Sequence, residues 1–246
     1  MKKVLEREEF VDIGGFQLYT KIFGSDKGTP TVVMDAGYGD YSKAWNEIVS
    51  QIAEFTKVLV YDRAGLGKSD SSPNNRVSSE MVKELRTLLK KLQLTPPYIF
   101  VGHSFGGVNV RLYSSLYPSE VAGLILVDST PEDYRERFLP IMPSDFQEAY
   151  NKQFIYEGTY DQFMKSLEEV RLHRKTLIDT NVIILSAGKK AFYSTDAQNL
   201  WLHMQKELLD LSTNSSLVIA PNSGHYIQKD EPQYLINAVK KVLQIL

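Results

Sequence analysis

The chain is predicted to have an α/β fold, with a mostly parallel, twisted sheet and helices on both faces. Short segments that are apolar at every position alternate with segments whose apolar residues recur at helical spacing. A strand that is apolar throughout is buried on both faces, which is typical of a parallel sheet. The alternation of strands with helices therefore indicates a parallel sheet that is covered on both sides.

The first half of the chain begins with a hairpin. Residues 10–24 form two alternating runs joined by Gly14 and Gly15, and we expect this hairpin to supply an antiparallel edge. A helix further on is expected to be capped by Ser78 or Ser79. The other elements are a strand at 31–34, a helical face of Trp45, Ile48, Val49 and Ile52, a strand at 57–61, the helical stripe Val82, Leu85, Leu89 and Leu92, and a strand at 98–101.

The second half repeats this pattern around an insertion. Residues from about 131 to 179 contain no strand pattern and are rich in aromatic and charged residues, so we expect a small helical cap within a single domain of residues 1–246. The flanking elements are a helix marked by Val108 and Leu112 and ended by Pro118, strands at 123–127, 182–185 and 217–220, a helix through Trp201 and Met204, and a final helix from about Pro232.

Composition excludes several classes of function. The 246 residues are 43% hydrophobic and 24% charged, with a net charge of −2, so nothing favours nucleic acid or an anionic membrane as a partner. The absence of cysteine removes disulfides, thiol nucleophiles and thiolate metal sites. The N-terminus is not expected to be a signal peptide, and no apolar run reaches membrane-spanning length. We therefore expect a cytoplasmic protein without membrane insertion.

The segment 98–107 carries the strongest chemical signal. A buried strand leads into Gly102-His-Ser-Phe-Gly-Gly107, and a helix follows, which is the context of a nucleophile elbow. The alternative is an ordinary glycine-rich turn between a strand and a helix. A serine hydroxyl needs an imidazole to accept its proton and a carboxylate to orient that imidazole. Ser104 is therefore the predicted nucleophile.

Of the four histidines, His225 is the predicted base. It follows the last strand in a glycine-containing loop, at the sheet edge where the elbow emerges. His103 adjoins the serine, but neighbouring side chains diverge in a sharp turn. His173 falls in the insertion and His203 on a helix. The alternative for His225 is an ordinary loop histidine.

Two aspartates compete for the role of the acid. Asp128 directly follows the strand 123–127, which places it at the same edge, although it could instead cap the next turn. Asp196 is the alternative acid, but it lies eleven positions beyond Leu185, where capping a helix is the other interpretation. The loop 186–192 contains no acid. Asp128 is favoured, and Asp196 remains open.

A tetrahedral intermediate also needs two backbone N–H donors. The predicted donors are Phe105, which follows the nucleophile, and Tyr38, which lies between Gly37 and Gly39. The alternative for the second loop is a simple glycine-rich turn. The segment 62–69 lacks the spacing of a phosphate-binding loop, and a structural role near the site is expected.

These residues together resemble the α/β-hydrolase superfamily along essentially the whole chain. The matching motifs are Gly37-Tyr-Gly39, Asp62-x-x-Gly-x-Gly-x-Ser69, Gly102-His-Ser-Phe-Gly-Gly107, Leu126-Val-Asp-Ser129 and Ser223-Gly-His225. Two positions depart from the family pattern. Ala36-Gly37 replaces the usual His-Gly, and the position after strand 182–185, where many members carry the acid, is empty. The missing acid after strand 182–185 favours Asp128 as the acid of the site.

The resemblance, with serine as nucleophile, implies a carboxylesterase-like serine hydrolase that forms an acyl-enzyme on Ser104. It implies a small-molecule ester or acyl substrate and a monomer or homodimer, with no metal or organic cofactor. Amide, lactone or carbon–carbon hydrolysis and perhydrolysis remain open as chemistries. The alternative outside catalysis is a small-molecule receptor or regulatory binding protein that has kept the fold.

Overall fold

The computed structural model describes residues 6–174, 177 and 179–246, and this part of the chain contains a sheet of eight strands. The strands are β1 (Glu6–Asp12), β2 (Gln17–Phe23), β3 (Val32–Asp35), β4 (Val58–Tyr61), β5 (Tyr98–His103), β6 (Val121–Val127), β7 (Asn181–Ala187) and β8 (Ser215–Ala220). Their order across the sheet is β1-β2-β4-β3-β5-β6-β7-β8. The first two form the antiparallel edge and the other six run parallel to one another, which confirms the predicted fold class.

The apolar strands separate two hydrophobic cores. Because successive side chains of a strand point to opposite faces, Val32 and Met34 enter one core while Val33 enters the other. The central strands β3, β4 and β5 are buried at every position. Continuous apolar character in the sequence therefore corresponds to burial on both faces.

Helices cover both faces of the sheet. The α-helices described outside the insertion are α1 (Val49–Ile52), α2 (Ser78–Lys91), α3 (Phe105–Leu116), α7 (Thr195–Glu207), α8 (Ile227–Asp230) and α9 (Pro232–Gln244). Helices α2 and α3 pack into one core, and α1 and α9 pack into the other. Among the described residues, no helix combines the length and apolar character needed to cross a bilayer.

Two local expectations were wrong. The cap position of α2 is Val77, which offers no side-chain acceptor, and Ser78 lies inside the first turn. Its backbone N–H donates to the Ser166 hydroxyl, and its own hydroxyl donates to Asn109, so tertiary contacts replace the cap. The region from Trp45 to Ile52 is also not one helix, because a 3₁₀ helix at Ser42–Trp45 precedes the single turn of α1.

The described part of the insertion is helical, as predicted. It consists of α4 (Tyr134–Arg137), a 3₁₀ helix (Leu139–Ile141), α5 (Ser144–Lys152) and α6 (Tyr160–Leu172). Thr159 and Gln162 form a capping box that starts α6. Phe163 of α6 stacks on Phe105, with ring centroids 5.1 Å apart, so the insertion packs directly on the elbow helix.

Two predictions from the sequence concern residues that the structure does not describe. The absence of a signal peptide is predicted for a segment that includes residues 1–5, and the end of the insertion is predicted at about residue 179, next to residues 175, 176 and 178.

Candidate active site

Ser104 stands at the sharp turn between β5 and α3. Its backbone has φ 51° and ψ −119°, a combination that a non-glycine residue adopts only when its surroundings impose it. A Cβ at Gly106 would overlap the carbonyl oxygens of Asp35 and Ala36, and one at Gly102 would collide with the first turn of α3. The flanking glycines are therefore required by close backbone approach, and the half-buried serine faces the cavity described below.

His225 and Asp128 meet at the carboxyl-terminal edge of the sheet. Asp128 follows β6, His225 lies in the loop after β8, and the distance from His225 Nδ1 to Asp128 Oδ2 is 2.7 Å. Asp128 is fully buried, whereas the His225 side chain is 37% exposed. A hydrogen bond at Nδ1 leaves Nε2 as the unprotonated nitrogen of a neutral imidazole. This geometry allows Nε2 to accept a proton.

The carboxylate of Asp128 has three further donors. Oδ1 accepts from the Trp201 indole at 2.7 Å and from the Ala187 backbone N–H at 3.0 Å. Oδ2 lies 2.7 Å from Lys190 Nζ. Burial alone would raise the pKa of Asp128, but Lys190 and His225 together hold it well below its ordinary value. Asp128 is therefore a fixed, charged carboxylate.

Sequence reasoning missed Lys190 and Trp201. The relevant signal was the loop after β7, which lacks an acid but contains two lysines, Lys189 and Lys190. The loop after β7 supplies the Lys190 ammonium group to the carboxylate of Asp128, which follows the neighbouring strand β6. Trp201 was identified only as part of a helix face.

The Ser104 hydroxyl points toward Thr130. Its Oγ lies 3.5 Å from Thr130 Oγ1, and no hydrogen bond joins it to His225 in the described part of the chain. Contacts between nucleophile and base are often long without substrate and tighten when substrate binds. A rotation about the Cα–Cβ bond of Ser104 would change its partner.

Asp196 lies elsewhere. It is an exposed residue in the first turn of α7, and among the described residues it does not contact His225. Its expected capping role was also wrong, because the Ser194 hydroxyl accepts the Ala197 N–H at 3.1 Å. The structure therefore brings Asp128, rather than Asp196, to His225.

The other histidines make separate contacts. His103 is buried, and its Nε2 lies 2.9 Å from the backbone oxygen of His225, so it supports the loop of the predicted base. Burial and the neighbouring His225 hold the pKa of His103 well below its ordinary value. His173 Nδ1 lies 2.8 Å from the Glu169 carbonyl oxygen. Exposed His203 lies 3.1 Å from a carboxylate of its own helix.

The segments that carry the two predicted amide donors both adjoin the serine. Phe105 is the first residue of α3, so its N–H precedes the first intrahelical hydrogen bond. The loop containing Tyr38 passes close to the serine, because a Cβ at Gly37 would lie 3.4 Å from Ser104 Cβ. The Tyr38 hydroxyl donates to the Gly158 carbonyl at 2.8 Å, which ties this loop to the insertion.

The buried side chain of Arg63 binds the backbone of the loop that contains Tyr38. Arg63 donates to the carbonyl oxygens of Ala36 and Gly37, each at 2.7 Å. It also pairs with the carboxylates of Asp35 and Glu157. The expectation that segment 62–69 is structural did not foresee this contact with the loop. Glu157, from the insertion, also accepts the Gly39 N–H at 3.1 Å.

A cavity of about 210 Å³ opens over the serine. Half of its ten lining residues are tyrosine, phenylalanine or tryptophan residues of the insertion and of the region after β7. No individual lining residue was predictable from the aromatic-rich pattern of the insertion. The structure identifies them as Ser104, Thr130, Tyr134, Phe146, Tyr150, Gln153, Lys190, Tyr193, Trp201 and His225.

Comparison with known proteins identifies the family. Residues 30–198, more than half of the chain, match the family model of the alpha/beta hydrolase fold. The uncharacterized protein YqjL of Bacillus subtilis (strain 168) is 31% identical over 235 residues, covering 96% of this chain and 91% of YqjL. The protein therefore belongs to the α/β hydrolase fold family.

Solved structures share the fold at lower identity. An esterase from Thermogutta terrifontis, solved with malate bound, is 16% identical with a TM-score of 0.67, covering 98% of each chain. The 2-hydroxy-6-oxo-6-phenylhexa-2,4-dienoate hydrolase of Rhodococcus sp. strain RHA1 is also 16% identical with a TM-score of 0.67, covering 98% of this chain and 100% of that one. At such identities the likeness concerns the fold alone.

Proposed function

We propose that the protein is a serine hydrolase that cleaves a carboxylic ester, or a related acyl bond, of a small molecule. The observation that carries this proposal is the strained Ser104 turn beside a His225 imidazole whose Nδ1 lies 2.7 Å from buried Asp128. A serine is activated by an imidazole that a carboxylate holds in one tautomer. Membership of the α/β hydrolase fold family supports a hydrolase.

In the proposed reaction, Ser104 turns from Thr130 to His225. Its Oγ attacks the carbonyl carbon of the substrate while its proton passes to His225 Nε2. The resulting oxyanion accepts hydrogen bonds from the backbone N–H groups of Phe105 and Tyr38. When the tetrahedral intermediate collapses, the bond to the leaving alcohol breaks and the alcohol takes the proton from His225.

Water completes the cycle. A water molecule gives a proton to His225 as its oxygen attacks the acyl carbon, and collapse expels Ser104, which recovers that proton. The products are a carboxylic acid and free enzyme. Asp128 stays ionised throughout and stabilises the imidazolium, because its pKa lies well below the ordinary value.

The cavity supports a small substrate. A volume of about 210 Å³ is below the range of pockets that hold drug-sized ligands, so a short or single-ring acyl group fits better than a long chain. Phenol and amide groups of Tyr134, Tyr150 and Gln153 lie in its wall, and they can donate hydrogen bonds to polar substituents.

One observation favours a second function, that of a small-molecule receptor. The Ser104 hydroxyl faces Thr130 rather than the base, as in a site that binds without reacting. Labelling with a fluorophosphonate separates the two functions, since covalent attachment requires an activated serine. A hydrolase labels as wild type and not as Ser104→Ala, whereas a receptor labels in neither form.

Turnover is then measured on p-nitrophenyl acetate and butyrate. We expect hydrolysis by wild type, none above background by Ser104→Ala, and a strong loss in Asp128→Asn. Asp196→Asn is the matched control, because it makes the same chemical change on the exposed surface. A wild-type protein that neither labels nor turns over would contradict the proposal.

A further inference from the structure

Lys190 shares one carboxylate oxygen with the proposed base. Its Nζ lies 2.7 Å from Asp128 Oδ2, the same oxygen that lies 2.7 Å from His225 Nδ1. Only 5% of the Lys190 side chain is exposed. The lysine therefore competes directly with the imidazole for the negative charge of Asp128.

Besides Asp128, two aromatic side chains contact the Lys190 ammonium group. Its Nζ lies 3.2 Å from the centroid of the Trp201 ring and 3.4 Å from the Tyr193 hydroxyl. Within the described residues, Asp128 is the one carboxylate that forms an ion pair with it. Burial lowers the pKa of Lys190 to about 8, although Asp128 opposes this shift.

Other titratable groups face the pair from neighbouring elements. Tyr134 and Tyr193 lie on the side of Lys190, and Asp40, His103 and Tyr226 lie on the side of the His225 imidazole. Burial raises the pKa of the three tyrosines and lowers the pKa of His103, so these four side chains are neutral near pH 7. The carboxylate of Asp40 favours the protonated form of His225.

We propose that Lys190 is a positioning residue that holds Asp128 and limits how strongly this carboxylate stabilises a protonated His225. The inference rests on the proposed function, because it assigns His225 as the base. In such an enzyme the lysine keeps the imidazole free to accept the Ser104 proton in more acidic solution. A lysine after β7 thus acts on an acid that follows β6.

The direction of the effect follows from charge. Burial, and then the Lys190 charge, lower the pKa of His225, while Asp128 raises it. Removing the positive charge therefore raises the pKa of His225, and a higher pH is needed to free the base. Since the pKa of Lys190 is about 8, its charge acts below that pH and disappears above it.

The first test is the pH profile of kcat/KM for wild type, Lys190→Gln and Lys190→Arg. In Lys190→Gln we expect the acid limb to move upward by about one pH unit, since a unit charge lost within 4–6 Å shifts a pKa by about 1–3. Lys190→Arg keeps a positive charge at this position, so its limb is expected to move less than that of Lys190→Gln. A uniform loss at every pH with an unmoved limb would indicate a merely structural lysine and overturn the proposal.

The second test needs no activity. The His225 Cε1–H signal is followed by NMR during pH titration and is assigned by its absence in His225→Gln. The wild-type midpoint is expected below 6.5, the ordinary imidazole value, and the Lys190→Gln midpoint about one unit above that of wild type. Equal midpoints in these two proteins would overturn the proposal.

The two tests separate failure of this inference from failure of the proposed function. A shifted His225 midpoint in a protein that neither takes the fluorophosphonate nor hydrolyses the p-nitrophenyl esters would retain the Lys190–Asp128–His225 coupling but exclude the hydrolase. A labelled, active protein with an unmoved midpoint would exclude only the role of Lys190. Should Lys190→Gln fail to fold, Lys190→Met is the second charge-free variant, and equal His225 midpoints in Lys190→Met and wild type would overturn the proposal.

Discussion

Two buried ion clusters flank Ser104, and they differ in how many carboxylates surround the cation. Arg63 pairs with both Asp35 and Glu157 and lies behind the loop that contains Tyr38. Lys190 pairs with Asp128 and lies in the wall of the cavity. Both cations are nearly inaccessible to solvent, with 3% and 5% of their side chains exposed.

The difference in partners gives the two cations opposite electrostatic behaviour. Burial would lower the pKa of Arg63, but Glu157 and Asp35 raise it well above its ordinary value. Burial lowers the pKa of Lys190 to about 8, because one carboxylate shared with a histidine does not offset desolvation. The first cluster is a permanent clamp on backbone carbonyls, and the second is a titratable group beside the proposed base.

The largest effect is expected in the second cluster, from Asp128→Asn. The amide cannot stabilise an imidazolium, and it leaves Lys190 without its carboxylate, so kcat should fall by about 10⁴-fold. The measurement is steady-state hydrolysis of p-nitrophenyl butyrate. A fall of less than about tenfold would mean that Asp128 is not the acid.

In the first cluster, the largest effect is expected from Arg63→Met. It leaves Asp35 and Glu157 buried without their cation, which costs about 3–5 kcal/mol of folding free energy. Urea unfolding followed by tryptophan fluorescence measures this loss. A cost below about 1 kcal/mol would show that the cluster is not a stabilising clamp.

A milder change at the same cluster is Glu157→Gln. It weakens the hold on Arg63 and on the Gly39 N–H, so we expect a loss of about 1–2 kcal/mol in stability. Displacement of the Tyr38 amide should lower kcat about tenfold with KM little changed, because this amide is the proposed donor to the oxyanion.

The matched control for Glu157→Gln is Glu168→Gln in α6. Glu168 forms an exposed pair with Lys165, so its loss is expected to change stability by less than about 0.5 kcal/mol and to leave kcat unchanged. Equal effects of the two glutamine variants on kcat would contradict a link between the insertion and the loop.

The smallest effect is expected from Asp196→Asn. This side chain is exposed, and the cap of α7 is supplied by Ser194. Activity on p-nitrophenyl butyrate should stay within about twofold of wild type, as for surface substitutions remote from a site. A collapse of activity would transfer the role of the acid from Asp128 to Asp196.

Features that depend on neighbours in the sequence were predictable. The apolar runs predicted the parallel sheet, and the context of Gly-x-Ser-x-Gly predicted the turn at which Ser104 has φ 51°. The position of Asp128 and His225 after their strands predicted that both would lie at one edge, where their side chains are 2.7 Å apart. Parallel strands bring their carboxyl ends to a common edge, so chain order alone carries this information.

Local rules failed where tertiary contacts competed with them. Ser78 was expected to be a possible helix cap, but its N–H donates to Ser166, which lies 88 residues further along the chain. A hydroxyl of a distant helix accepts one of the N–H groups that the first turn of a helix leaves without an intrahelical partner. The choice depended on packing of α2 against α6, which no local pattern contains.

The sequence by itself determined the family fold, the sharp turn at Ser104 and the sheet edge at which the candidate site forms, because backbone sterics and hydrophobic periodicity are local properties. Only the tertiary structure decided which charges surround that site. Arg63 and Glu157 are 94 residues apart, and Trp201 is 73 residues from Asp128. Burial at such contacts raises the free energy needed to ionise a side chain. This free energy depends on which distant residues pack around the charge.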